Sequence, residues 1–260
     1  MGIKYTLLDV ACMFMTYAVL GWVWETSYVS FKTGRYTNRG FLRAPIIPIY
    51  GFAATTIMIM MSLVEPVLPT KPFLFLVTSV TYIAVVASTW EYVTSFVMEW
   101  AFKARWWDYS KKPFNLHGRV ALGVSVFWGF GGFALWYFVN AELLNAFRAV
   151  PIMILRPMVS VFYFGVFIDA TFTLKELINL RAVLIKMHAS IGEVIDEIGG
   201  RIEELEENIE DWMDEIEERV ALGRIIEKGK KYARFYRNYP NATTRKLPLV
   251  FNTLREKIKR

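Results

Sequence analysis

Three stretches of this chain, residues 44–64, 73–90 and 120–139, contain no Asp, Glu, Lys or Arg. A helix needs about 20 apolar residues to cross a bilayer core of roughly 30 Å. The first and third runs have that length, and the second reaches it if the helix continues past Glu91. A soluble amphipathic helix must present a polar face every turn, which such runs cannot do. They predict membrane helices near 45–65, 72–98 and 119–140. Two further apolar segments, near 6–29 and 152–174, are interrupted by Asp9 and Glu25 and by Arg156 and Asp169. The expected fold is therefore an all-α polytopic membrane bundle of about five transmembrane helices over residues 1–175. A charged arm follows over residues 176–260.

The loops give an orientation. Loop 30–44 carries Lys32, Arg35, Arg39 and Arg43 without an acid, and loop 99–118 carries Lys103, Arg105, Lys111 and Lys112 against Glu99 and Asp108. The connections near 65–72 and 140–151 are almost neutral. The positive-inside rule then places the two basic loops in the cytoplasm, the N-terminus outside and the C-terminal arm inside. The net charge of +6 belongs to the same pattern, because the bases flank apolar spans or lie in the tail. The bilayer surface, not nucleic acid, is the expected partner. A single cysteine, Cys12, excludes an internal disulfide and a thiol metal cluster.

The arm reads as two blocks. Residues 193–218 hold thirteen acids and one base, and residues 219–260 hold thirteen bases and two acids. Ile195, Ile198, Ile202, Leu205, Ile209, Trp212 and Ile216 alternate three and four apart, the seam of a coiled coil. Acidic flanks would repel a parallel copy. The basic block is the better partner, either in a hairpin or antiparallel across a homo-oligomer; a single solvated helix is the competing reading.

Ionisable groups close to hydrocarbon cost roughly 2.5–3.5 kcal/mol each, so they persist mainly where they pair or function. Glu25, Glu91, Glu99, Arg119 and Asp169 all fall toward the predicted cytoplasmic leaflet, as do Asn38-Arg39-Gly40-Phe41 and Trp106-Trp107-Asp108-Tyr109 with Asn115. Glu91, Ser95 and Glu99 lie four apart, forming one stripe of a helix. Arg39, Arg105 and Arg119 are candidates to pair with them. The candidate binding residues are thus Glu25, Asn38, Arg39, Glu91, Glu99, Trp107, Asp108, Tyr109, Asn115, Arg119 and Asp169. Asn38 and Arg39 could grasp an anionic group; an ordered corner with an ion-pair network is the alternative reading. His117 alone is weak support for a metal site, and none is assigned. The glycines of Trp128-Gly129-Phe130-Gly131-Gly132 fit close helix packing. No Gly-x-x-x-x-Gly-Lys-Ser/Thr loop is present, so this chain is not expected to be the ATPase of a P-loop pump.

Gly21-Trp22 with Glu25, Asn38-Arg39-Gly40-Phe41-Leu42, Pro45 and Pro48-Ile49-Tyr50-Gly51 resemble the ABC-transporter type IV (CmpB-like) permease family. The same holds for Glu91-Tyr92, Glu99, Trp106-Trp107-Asp108-Tyr109-Ser110, Pro113-Phe114-Asn115-Leu116, Gly118-Arg119 and Ser125 with Trp128-Gly129. The resemblance covers roughly residues 15–170 and departs at Ala44, where a glycine is expected. It implies a permease-like transport subunit in the cell membrane, driven by a separate ATPase. The residues themselves suit a cytoplasmic-side site for a small polar or anionic solute. A membrane enzyme acting on a lipid headgroup or lipid-linked substrate, and a non-catalytic scaffold or sensor, are the alternatives.

Overall fold

The computed structural model describes residues 5–102, 105–199 and Asn238. Five of its helical segments are long and apolar enough to cross a membrane: Leu7–Thr33, Pro48–Val67, Pro72–Phe102, Leu122–Ala149 and Ile152–Ala182. The elements in chain order are α1 (Leu7–Thr33), α2 (Pro48–Val64), α3 (Pro72–Phe102), β1 (Asn115–Leu116), β2 (Val120–Ala121), α4 (Leu122–Ala134), α5 (Asn140–Ala149) and α6 (Ile152–Gly199).

Local chemistry sets the ends. Thr6 caps α1 by accepting from the Asp9 amide while the Asp9 carboxylate accepts from Thr6, a reciprocal capping box. Gly34, at φ 66°, closes the other end in the left-handed region. Pro48 opens α2, where its missing N–H is not needed. Large apolar side chains remain exposed along the helices, including Val161 at 72%, Phe164 at 67% and Phe167 at 71% on α6 alone. Such exposure would favour aggregation in water and costs nothing against lipid tails.

Without a hydrophobic drive between helices, close packing in lipid needs small residues at the contacts. α1 and α2 meet this way. A Cβ on Gly21 would fall inside the Tyr50 ring, and one on Gly51 would lie 2.8 Å from the Phe14 ring. Gly129 and Gly132 bring α4 onto Val80 and Ile83 of α3, whereas Gly131 meets little. Met13, Tyr17, Ile57, Met58, Met61, Ile83 and Leu144 fill the resulting core. Cys12 packs as a small apolar residue with Leu155 and Val159.

The described residues form two compact units. The first comprises residues up to Val97 with Trp107–Thr173; the second comprises Met98–Trp106 and the residues from Leu174 onward. Two expectations need adjusting. The segment expected to loop from 140 is helical to Ala149, joined to α4 through a π-helical turn at Leu135–Val139. Asn140 is buried at the start of that continuation: Tyr17 donates to its Oδ1 (3.1 Å) and its Nδ2 donates to the Tyr5 hydroxyl (3.0 Å), giving a buried amide its partners. A two-stranded antiparallel turn, Asn115 opposite Ala121 and Leu116 opposite Val120, interrupts the all-helical picture. The last helix, α6, is continuous from Ile152 to Gly199. The seam from Ile202 onward and the basic block 219–260 lie outside the described residues.

Candidate functional site

The stretch after α1 folds back along α1 itself. Trp22, Thr26 and Ser30 are spaced four apart and so form one stripe. Trp22 Nε1 donates to Asn38 Oδ1 (2.8 Å), the Arg39 amide donates to Thr26 Oγ1 (3.2 Å), and the Thr37 amide donates to Ser30 Oγ (2.9 Å). Farther along, the Ile47 amide donates to the Ala18 carbonyl (3.0 Å), continuing the stripe one turn back. Asn38 Oδ1 also accepts from the Gly40 amide at 2.8 Å, so this side chain builds the corner. Gly40 fits tightly there: a Cβ would sit 3.1 Å from both Asn38 Oδ1 and the Leu42 carbonyl, closer than most such contacts.

Asp169 serves the same corner. It accepts from the Arg43 amide (3.1 Å) and the Ala44 amide (2.6 Å), and Thr173 donates to it from the next turn of α6 (3.3 Å). Ala44 is not among the positive-φ residues, so alanine fits where a glycine was expected.

Docking this corner turns Arg39 toward Glu25, with Nε 3.3 Å from Oε2. The other oxygen of Glu25 accepts from Tyr50 in the first turn of α2, at 2.7 Å. Tyr50 is wedged between Gly21 and Trp128 of α4, whose rings meet edge-on at 5.3 Å.

A second loop delivers one hydroxyl to α3. Asp108 Oδ1 accepts from the Ser110 amide (2.9 Å) and hydroxyl (2.5 Å). Asn115 holds the Gly118 amide (2.9 Å) and the Lys112 carbonyl (2.8 Å), and Trp107 Nε1 donates to the Arg119 carbonyl (2.9 Å). Gly118, at φ 70°, takes a conformation that disfavours other residues, and its missing Cβ leaves space for Ser110 and Asp108. These contacts fix Tyr109, whose hydroxyl donates to Glu91 Oε1 at 3.0 Å. Burial holds the Tyr109 phenol far above its ordinary pKa; the nearby charge of Glu91 adds to this, as does Glu25, while Arg39 opposes it. Tyr109 therefore remains a donor, and it lies within electrostatic reach of both acids. Lys112 lies over its ring at 5.5 Å.

Glu25, Arg39 and Tyr50 thus form one hydrogen-bonded group and Tyr109 and Glu91 another, and the two lie within electrostatic reach of each other, a polar cluster drawn from α1, α2, α3 and two loops. Glu91 is only 9% exposed, and its Oε2 has no hydrogen-bond partner among the described residues. Such an atom calls for an explanation, because leaving a buried acceptor unmet costs about 1–3 kcal/mol.

The remaining candidates divide. Trp107, Asp108 and Asn115 make up the scaffold around Tyr109, and Asp169 clamps the corner. Arg119 is buried, donates to Ser95 Oγ (3.3 Å) and lies over the rings of Tyr92 and Phe96. Glu99 pairs with Arg105 at 2.6 Å within the second unit. The stripe through Glu91, Ser95 and Glu99 is thus divided between units. Sequence reasoning left Tyr50, Trp22 and Thr26 out of the site. The signals available were Tyr50 in the turn after Pro48, beside Gly51, and the four-residue spacing of polar-capable positions on α1.

A family model described as Putative ABC-transporter type IV matches residues 12–174, more than half of the chain, and the chain belongs to that family. No curated protein and no solved structure matches it.

Proposed function

We propose, from the premise that the chain belongs to the ABC-transporter type IV family, that it is the membrane-spanning subunit of a transporter energised by a separate ATPase. Five apolar helices and the absence of a phosphate-binding Gly-Lys loop support this division of labour. In this reading the solute site is the cluster of Glu25, Arg39, Tyr50, Tyr109 and Glu91, opening to the cytoplasmic side. Arg119 stands behind it, and Asn38, Trp107, Asp108, Asn115 and Asp169 hold the loops in place.

The observation that carries the proposal is the unmet Oε2 of buried Glu91. A solute offering an N–H or O–H there would satisfy it, and water exclusion makes the contact selective. Two carboxyl groups face one guanidinium, and Arg39 already engages Glu25. This balance favours a neutral or cationic hydrogen-bond donor over an anion. Movement of the solute would break the Tyr109–Glu91 contact, and ATP hydrolysis by the partner would supply the work. The charged arm, on the same side, offers a surface for that ATPase or for a second copy.

A panel of radiolabelled amines, amino acids and polyols tests this with purified protein. At least one compound should raise the unfolding temperature in wild type and fail to do so in Glu91→Gln. The same compound should cross proteoliposomes only when the ATPase is present. A scaffold would instead tolerate Glu91→Gln and fail on deletion of 193–237. An enzyme would convert its substrate in detergent with no sealed membrane. Either result would displace the transport reading.

A further inference from the structure

Between α3 and α4 lies an apolar groove of about 560 Å³, lined by Val80, Ser88, Thr89, Tyr92, Leu116 and Val126 among others. Most of its hydroxyls are already used. Ser88 and Ser125 share a hydrogen bond of 2.7 Å, and Thr89 donates to the Val85 carbonyl of its own helix (2.8 Å). The groove therefore has little to offer a polar solute. At its deep end, Gly129 rests on the Val80 carbonyl and brings the two helices together. From Val80 to Val93 the α3 wall rises about 20 Å, slightly more than the roughly 15 Å of hydrocarbon in one leaflet.

The shallow end is charged. His117 Nδ1 lies 3.2 Å from the Tyr92 hydroxyl, and the Arg119 guanidinium lies 5.6 Å over the Tyr92 ring. His117 and Lys111 are exposed, on the loop that supplies Leu116 to the groove wall. On the same loop Phe114 is 83% exposed, an apolar side chain placed beside bases as interfacial anchors are. One leaflet's depth of apolar groove thus ends at a basic and aromatic rim.

We propose that this groove is a binding site for one anionic phospholipid, an acyl chain lying between α3 and α4 and the phosphate meeting His117 and Lys111, with Arg119 adding positive charge behind Tyr92. The occupant differs in chemistry from the solute of the Glu25–Glu91 cluster. It would tie the position of α4, and with it Trp128 and Tyr50, to the lipid composition of the leaflet.

Native mass spectrometry of the detergent-purified full chain tests this with phosphatidylglycerol and phosphatidylcholine as probes at equal concentration. Wild type should retain one phosphatidylglycerol in preference to phosphatidylcholine. Thr89→Trp and Val126→Trp, which fill the groove from opposite walls at exposed positions, should each abolish that adduct. Val161→Trp on the exposed face of α6 should leave it intact. Lys111→Ala should weaken it about fivefold, the effect of one base near an anionic headgroup. Excess glycerol phosphate should not displace it, because the chain carries the binding. Elution and unfolding temperature confirm that the variants fold. Equal retention of the two lipids, survival of the adduct in both groove-filling variants, loss in Val161→Trp, or displacement by glycerol phosphate would each overturn the proposal.

Discussion

The hydrogen bond from Tyr109 to Glu91 links a surface loop to a transmembrane helix, and a double-mutant cycle measures its strength. The perturbations are Tyr109→Phe, Glu91→Met, which keeps the length of the side chain but offers no oxygen acceptor, and the pair. Tyr109→Phe removes one hydroxyl and leaves the aromatic body, so packing changes little. Glu91 then loses the only bond made to its Oε1 in the hydrogen bonds above, and Oε2 already lacks one. Hydrogen bonds to charged groups contribute about 1.5–3 kcal/mol in water-soluble proteins. Between helices in membranes the average is nearer 0.6, with a maximum of about 1.7, because the unfolded chain in lipid finds other partners. Both groups are largely buried and the bond spans a loop and a helix, so a coupling of about 1–1.7 kcal/mol is expected. Unfolding in mixed detergent micelles, followed by tryptophan fluorescence, gives the four stabilities. A coupling below about 0.5 kcal/mol, the range in which independent sites add, would show that the loop and helix do not act together. The account of the cluster would then fail.

Other outcomes follow from the same geometry. Gly21→Ala should destabilise by about 1–3 kcal/mol because its methyl group enters the Tyr50 ring. Gly123→Ala, with open space around it, should instead be neutral or stabilise by up to about 1 kcal/mol through helix propensity; thermal unfolding separates the two. Asp169→Ala should cost about 1–2 kcal/mol, chiefly by removing the acceptor of the part-buried Ala44 amide, while Asp169→Asn retains one acceptor and loses less. On the proposed site, solute-induced stabilisation should survive Asp169→Asn, since the contacts of this side chain are with the corner amides. The raised pKa of Tyr109 also gives a pH dependence. Above about 10 an unfolded tyrosine releases its proton while the folded one keeps it. Stability therefore falls by about 1.4 kcal/mol per pH unit until the folded group ionises. Alkaline unfolding of Tyr109→Phe should lack that contribution, and parallel curves for the two proteins would refute it.

The spans were legible because lipid imposes a simple rule. Each helix satisfies its own backbone, and apolar length alone decides whether it can cross. Hence residues 44–64, 73–90 and 120–139 announced three helices, and Asp9 and Glu25 did not conceal the first. Its capping box even gives Asp9 a local use. Helix ends were less legible. The neutral stretch from Asn140 looks like a loop signal, yet the backbone is helical there to Ala149, and Tyr17 and Tyr5, more than 120 residues away, supply the Asn140 side chain with its partners.

The site shows the same division. Charge placed among apolar residues marked Glu25, Arg39 and Glu91 as worth their desolvation cost, and the motif around Asp108 marked Tyr109; both follow from the order of residues along the chain. Which of the marked residues meet depends on contacts that no local pattern encodes. Asn38, Asp108, Asn115 and Asp169 resemble ligand-binding groups in sequence, but in the fold they hold backbone amides and carbonyls of their own loops or of the corner. Tyr50 had no polar neighbour in sequence, and it joined the cluster because Gly21 left a hollow on α1 deep enough for its ring. The chain by itself determined how many helices can lie in the bilayer and which polar groups must be accounted for. Packing of small residues against large ones decided which of those groups were spent on architecture and which kept an unmet atom.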